Sequence, residues 1–145
     1  MIYSNACEYG IRAMVHLADY AVGTRVLARD VSEKEGIPGP FLGKVFQTLV
    51  KAGLLTSSKG PGGGFSLARE SSEITLFDIR AAIDGVRDLE ACAVGLAECS
   101  DEQRCPLHDS WSPIRDRIKN YLTETTLSDM AAATRRKRAL LTKDK

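Results

Sequence analysis

Apolar residues recur at helical spacing along most of this chain, with a glycine-rich break near the middle. Between Glu8 and Ala21, Ile11, Met14, Val15 and Ala18 share one face. That is the repeat of an amphipathic helix, and Gly23 can end it. Glu8 falls in its first turn, where a carboxylate meets the positive end of the helix dipole. Arg25–Ala28 reads as a short extended piece, followed by a second helix through Asp30–Glu35. Ile37-Pro38-Gly39-Pro40 makes a turn, and Pro40 suits the first turn of a third helix. There Phe41, Leu42, Val45, Phe46, Leu49 and Val50 form the apolar face, opposite Gly43, Lys44, Gln47, Thr48 and Lys51. Gly53 is placed as its C-cap.

Two helices joined by a glycine-containing turn, the second amphipathic, form a helix-turn-helix candidate. Leu54–Ser58 and Phe65–Arg69 then read as strands around Lys59-Gly60-Pro61-Gly62-Gly63-Gly64, a β-hairpin in the position of a wing. The glycines lack the Gly-Lys-Ser/Thr ending of a phosphate loop and do not open a helix after a strand, so a nucleotide site is excluded. Their number exceeds what a tight turn needs, which favours close approach to DNA. A fourth helix spans residues 74–84, ended by Gly85. From Pro106 a long helix carries Trp111, Ile114, Ile118, Tyr121 and Leu122, an apolar stripe expected to pack on a second copy of the chain. Leu127–Ala133 reads as a short last helix and residues 135–145 as a basic, disordered tail. The expected fold is mostly α with a small β-hairpin wing. Residues 1–84 form a winged helix-turn-helix DNA-binding domain, 85–108 a cysteine-rich loop, and 106–134 the dimerisation helix and terminal helix.

Charge refines this picture. The net charge of +1 conceals +2 over residues 1–70, −6 over 71–134 and +5 over 135–145. DNA contact must therefore come from local placement of charge rather than a bulk basic field. No apolar run reaches membrane-spanning length and no signal sequence opens the chain, so a cytoplasmic protein with reduced thiols is expected.

Three of the four cysteines and one of the two histidines fall between Cys92 and His108, with Cys99 and Cys105 between them. Thiolates suit iron–sulfur clusters or zinc, and imidazole can complete either site. Six residues separate Cys92 from Cys99 and five separate Cys99 from Cys105. Structural zinc sites start from a closer cysteine pair, which this loop lacks. An oxidoreductase is disfavoured: there is no Cys-x-x-Cys pair, flavin or nicotinamide fingerprint, or catalytic dyad. The chain is not expected to be an enzyme.

Tyr9-Gly-Ile-Arg-Ala-Met14, Phe41-Leu42 with Leu49-Val-Lys-Ala-Gly-Leu54, Lys59-Gly-Pro-Gly-Gly-Gly-Phe65 and Cys105-Pro-Leu-His108 with Trp111 together resemble the Rrf-two family of bacterial transcription regulators. IscR-like and NsrR-like members of that family bind iron–sulfur clusters. The resemblance covers roughly residues 1–130. It implies a homodimer along the long helix, with recognition helix and wing on a palindromic double-stranded DNA operator. It implies no membrane association. The DNA-facing set carried over by position is Pro38, Gly39, Pro40, Gly43, Lys44 and Gln47, with Lys59, Gly60 and Pro61 in the wing. Proline and glycine replace several of the family's polar recognition residues, leaving Lys44 and Gln47 to meet base edges or phosphates.

The resemblance also implies a cluster on Cys92, Cys99 and Cys105. His108 stands where IscR-like proteins place the fourth ligand of a 2Fe–2S cluster, and is the favoured choice. Glu8 matches a carboxylate that NsrR-like proteins supply from the partner subunit, and Cys7 is a third candidate. Either would point to a 4Fe–4S cluster. The expected function is a DNA-binding regulator, a repressor, sensing redox, iron or nitric oxide. A cluster-free thiol- or zinc-containing regulator is the nearest alternative and a small electron-transfer protein the distant one.

Overall fold

The computed structural model describes residues 2–96, 100–102 and 104–143. Helix α1 (Asn5–Leu17) starts earlier than its apolar pattern because Ser4 caps it, its Oγ accepting from the Cys7 N–H at 3.1 Å. It ends before Gly23, at Ala18. Helix α2 (Ala28–Glu35) stops at Gly36, whose φ of 64° is left-handed and turns the chain into α3 (Gly39–Lys51). Strands β1 (Leu55–Ser58) and β2 (Gly64–Leu67) pair antiparallel, Leu55 opposite Leu67 and Ser58 opposite Gly64. Val26 pairs with Phe65 through two backbone hydrogen bonds of 2.9 and 2.8 Å, adding the extended piece before α2 to the hairpin's edge.

A single 3₁₀ turn at Ser71–Glu73 leads into α4 (Leu76–Asp84), which opens on a reciprocal Thr75–Asp78 capping box. Helix α5 (Arg87–Glu90) is one turn inside the stretch read as loop, and α6 (His108–Glu124) and α7 (Leu127–Lys143) complete the chain. The turn between α6 and α7 is fastened to α4, with Leu76 N–H donating to Thr125 O at 2.8 Å and Leu127 N–H to Ile74 O at 2.7 Å.

Met14, Leu17, Leu42, Phe46, Leu49, Leu54, Leu55 and Ile79 are fully buried. The apolar faces of α1, α3 and α4 thus meet one another and the hairpin's base, each large side chain contributing roughly 1.5–3 kcal/mol by leaving water. A second cluster, Leu76, Leu89 and Leu122, joins α4, α5 and the end of α6.

The sequence expectation fails at residues 135–143. These were expected to be a disordered basic tail, whereas α7 continues through Lys143 and lies on α1. Arg135 Nη1 reaches Asp19 Oδ1 at 2.7 Å, and Arg138 Nη2 reaches Glu35 Oε2 at 2.9 Å. The stretch is rich in good helix formers, and Asp19 and Glu35 pair with its arginines. A basic run looks like a tail only while its partners, more than 100 residues away, are out of sight.

Candidate nucleic-acid interface and cysteine loop

Leu42, Val45, Phe46 and Leu49 anchor α3 in the core, which turns Pro38, Gly39, Pro40, Lys44 and Gln47 to the surface, with Gly43 half-buried among them. A Cβ added at Gly43 would meet nothing within 4 Å. Glycine in a helix interior costs roughly 0.5–1 kcal/mol relative to alanine. Among the described residues nothing requires a glycine there, and the bare backbone leaves this part of α3 open to close approach.

The wing glycines have a different origin. A Cβ on Gly63 would lie 2.4 Å from Ser58 O, and one on Gly64 2.5 Å from Val26 O. Gly60 and Gly62 adopt φ of 82° and 73°. The glycines counted in the sequence as a surplus for DNA are thus required by the hairpin itself. What the wing offers outward is exposed Lys59, Gly60 and Pro61. It also offers Arg25, which sequence reasoning missed: its Nη1 donates to Gly62 O at 3.3 Å. The Val26–Phe65 bridge, a pairing across 39 positions, brings that cation to the turn, with Gly23 N–H donating to Leu67 O at 3.4 Å beside it.

The cysteine loop hangs between two fixed ends. Before it, buried Arg80 donates to Asp88 Oδ1 at 2.8 Å, to Gly85 O at 2.6 Å and to Ile2 O at 3.2 Å, locking α5 to α4 and the chain's start. After it, the His108 N–H donates to Cys105 O at 3.0 Å at the opening of α6. Cys92 is buried, and Cys105 lies within hydrogen-bonding reach of it. The backbone N–H groups of Val94, Leu96 and Gly95 also reach the Cys92 sulfur and, with the Cys105 thiol, pull its pKa down, Val94 most strongly. Amide donors that favour the thiolate form suit a sulfur that is to bind iron. His108 is buried, with Nε2 2.9 Å from Asp101 Oδ1, the kind of carboxylate partner that orients ligating histidines.

Cys105 thus lies near Cys92 and one turn before His108, and two thiols with an imidazole are donors that suit a thiolate-ligated cluster. Cys99 lies outside the described residues. Among the described residues no three His, Cys, Asp or Glu side chains are close enough to hold a metal ion. Cys7 is fully buried in the main core, where desolvation, then the charge of Asp84, pushes its thiol up to about 12. Half-buried Glu8 follows it on α1.

The family model described as an iron-dependent transcriptional regulator, Rrf2, matches residues 3–133. The chain belongs to the Rrf2 family. Among its relatives, the HTH-type transcriptional regulator IscR of Vibrio atlanticus is 36% identical over 123 residues, 85% of this chain and 70% of the relative. The structure of CymR, the global cysteine regulator of B. subtilis, superposes with a TM-score of 0.73 at 26% identity, covering 90% of this chain and 95% of that one. IscR of T. potens gives 0.70 at 27% identity, with 90% and 86% covered. An Rrf2 regulator binds DNA and is not an enzyme, and the winged helix-turn-helix fold is shared with the IscR and CymR structures.

Much of this regulator's α6 is open. Ile114 is 51% and Tyr121 48% exposed, whereas Ile118 and Leu122 pack against Leu76 and Leu89. The stripe read from the sequence is thus divided between the chain's own core and an outward face. No helix among the described residues is long and apolar enough to cross a membrane.

Proposed function

We propose that this Rrf2 regulator is a cytoplasmic homodimeric repressor that reports iron, redox or nitric-oxide status through an iron–sulfur cluster on Cys92, Cys99, Cys105 and His108. The observation that carries this reading is the convergence of Cys92 and Cys105 beneath three backbone N–H donors. The IscR relative supports it. When bound, the cluster would supply a labile cross-link sensitive to oxidation and nitric oxide.

The chain's own residues make such a link consequential. Cys92 follows α5, which Arg80 and Asp88 lock to α4, while Cys105 and His108 open α6. Holding the two sulfurs together fixes α6 against the DNA-binding unit, and separating them lets α6 shift. With the exposed stripe of Ile114 and Tyr121 as dimer contact, that shift would change the spacing of the two recognition helices on a palindromic operator. A coupling of ~1–3 kcal/mol corresponds to a roughly five- to 150-fold change in affinity. In this reading Lys44, Gln47 and Gly43, with Pro38, Gly39 and Pro40, face the major groove, while Lys59, Gly60, Pro61 and Arg25 follow the minor groove.

We favour His108 and a 2Fe–2S cluster, with Glu8 second; Cys7, sealed in the main core, stands last. One competing reading is a DNA-binding regulator whose thiols act without a cluster. Purification without oxygen, with absorption spectrum and iron, sulfide and zinc per chain, decides between them. About two irons and two sulfides per chain, lost in Cys92→Ala and Cys105→Ala, are expected. About four would move the fourth ligand to Glu8 or Cys7. Colourless protein would leave the thiol regulator, and about one zinc per chain would make the loop a structural clasp.

A further inference from the structure

Between α1, the last residue of α2 and α7 lies a cavity of about 270 Å³, near the lower end of small-molecule sites. We propose that it binds a small aliphatic carboxylate. This goes beyond the cysteine loop and requires neither a cluster nor DNA.

One wall is apolar, formed by Ile11 and Val15 of α1 with Met130 and Ala133 of α7. The polar pole of the lining is Arg12, Arg138 and Glu35. Glu35 is buried and its carboxylate is already engaged: Oε1 with His16 Nδ1 at 3.0 Å, Oε2 with Arg138 Nη2 at 2.9 Å. Arg12 lies 5.3 Å from the Tyr9 ring centroid and donates to the backbone carbonyl of Glu35, a neutral acceptor. Among the described residues no carboxylate pairs with Arg12. Two guanidiniums thus face one satisfied carboxylate, and the pole has a surplus positive charge.

The Thr134 hydroxyl donates to Met130 O at 2.8 Å, so its oxygen is left as an acceptor and the arginines are the pole's donors. A cationic pole at one end of an apolar pocket selects an anion with a short hydrocarbon body. A carboxylate matches the arginine fork. Glu35 immediately precedes Gly36, the turn into the recognition helix, so a ligand here sits directly behind the helix-turn-helix.

The experiment is titration of the full-length protein with sodium isovalerate, isovaleramide and, at equal ionic strength, sodium chloride, followed by amide chemical shifts and calorimetry. Isovalerate should bind saturably with Kd on the order of 1 mM, as about seven non-hydrogen atoms allow. The neutral amide should bind about tenfold more weakly or worse, and chloride should give no saturable shift. Arg12→Gln should weaken isovalerate binding about tenfold. Ala133→Phe, at an exposed position, should fill the apolar side and abolish binding without lowering the melting temperature. Absence of saturable binding up to about 50 mM, equal binding of acid and amide, or undiminished binding by Arg12→Gln or Ala133→Phe would each overturn the proposal. Iron content and operator binding play no part in the readout, so this site and the cluster reading fail independently.

Discussion

Arg80 and Asp88 form a two-pronged ion pair in which the cation is buried and the anion is not, at 3% and 64% exposure. Arg80's remaining donors satisfy Gly85 O and Ile2 O. One side chain therefore fastens the chain's start, the end of α4 and the helical turn before Cys92. Replacing it with Met should cost about 2–3 kcal/mol, because those carbonyls and Asp88 lose a shared donor. Asp88→Asn should cost no more than about 1 kcal/mol, since solvent screens the exposed carboxylate. Urea denaturation of both variants measures the difference.

The same pair fixes a sign for pH dependence. Hydrogen bonding to Arg80, followed by its charge, holds the Asp88 carboxyl below its ordinary pKa. A depressed folded pKa means that the pair's contribution is fully present above the unfolded value of ~3.9 and is lost as pH falls through the folded one. Wild type should lose stability below about pH 4 more steeply than Asp88→Asn. Parallel slopes between pH 5 and 2.5, about the range over which aspartates titrate, would mean that the ion pair is already screened out.

Cys7 offers a contrast with the loop thiols. Burial, then the Asp84 charge, raises its pKa to about 12, whereas amide donors pull that of Cys92 down. Since the thiolate is the nucleophile, iodoacetamide at about pH 8 should leave Cys7 unmodified until the protein unfolds. Cys105, being half-exposed, should be alkylated in the folded protein. Peptide mass mapping with and without denaturant reads this, and rapid native alkylation of Cys7 would show that its end of α1 opens.

Gly43 separates folding from recognition. A Cβ there meets nothing in the chain, so Gly43→Ala should raise stability by about 0.5–1 kcal/mol while weakening operator binding by at least several-fold. Lys44→Ala should weaken all DNA about equally and reduce the salt slope by about one unit, whereas Gln47→Ala should relax discrimination at one base position. A Gly43→Ala variant with unchanged affinity would remove this face of α3 from the close interface. The wing behaves oppositely: Gly63→Ala forces a Cβ into backbone oxygens and should destabilise the hairpin before DNA is considered.

The helix-turn-helix and hairpin were legible because their signals are local. The i, i+4 apolar face of α3, proline in its first turn and a glycine-rich break between two short strands each act over a few residues. The loop's composition likewise singled out its thiols, and Cys105 lies within hydrogen-bonding reach of Cys92. What the sequence concealed is non-local. Arg25 reaches the wing through Val26–Phe65, and Arg80 joins Ile2 to Asp88. The surplus of wing glycines was misread because the demand comes from carbonyls at Val26 and Ser58, one of them on another element. The basic run at residues 135–138 was misread for the same reason.

That run makes the last prediction. Glu35 has a side chain only 4% exposed, held between His16 and Arg138. A truly disordered tail could be removed without effect. Here, ending the chain after Ala133 would leave the buried Glu35 carboxylate with His16 alone and remove Thr134 and Arg138 from the cavity beside it. We expect a loss of about 1–3 kcal/mol, because a buried acceptor loses a charged donor. Arg138→Ala alone should cost about 1 kcal/mol, moderated because Arg138 is half-exposed. Glu35→Gln should cost little further once Arg138 is gone, giving a coupling of about 0.5–2 kcal/mol in a double-mutant cycle. Additive single effects with no loss on truncation would detach α7 from the DNA-binding unit. The predicted coupling would instead make this helix a strut between α6 and the base of the helix-turn-helix.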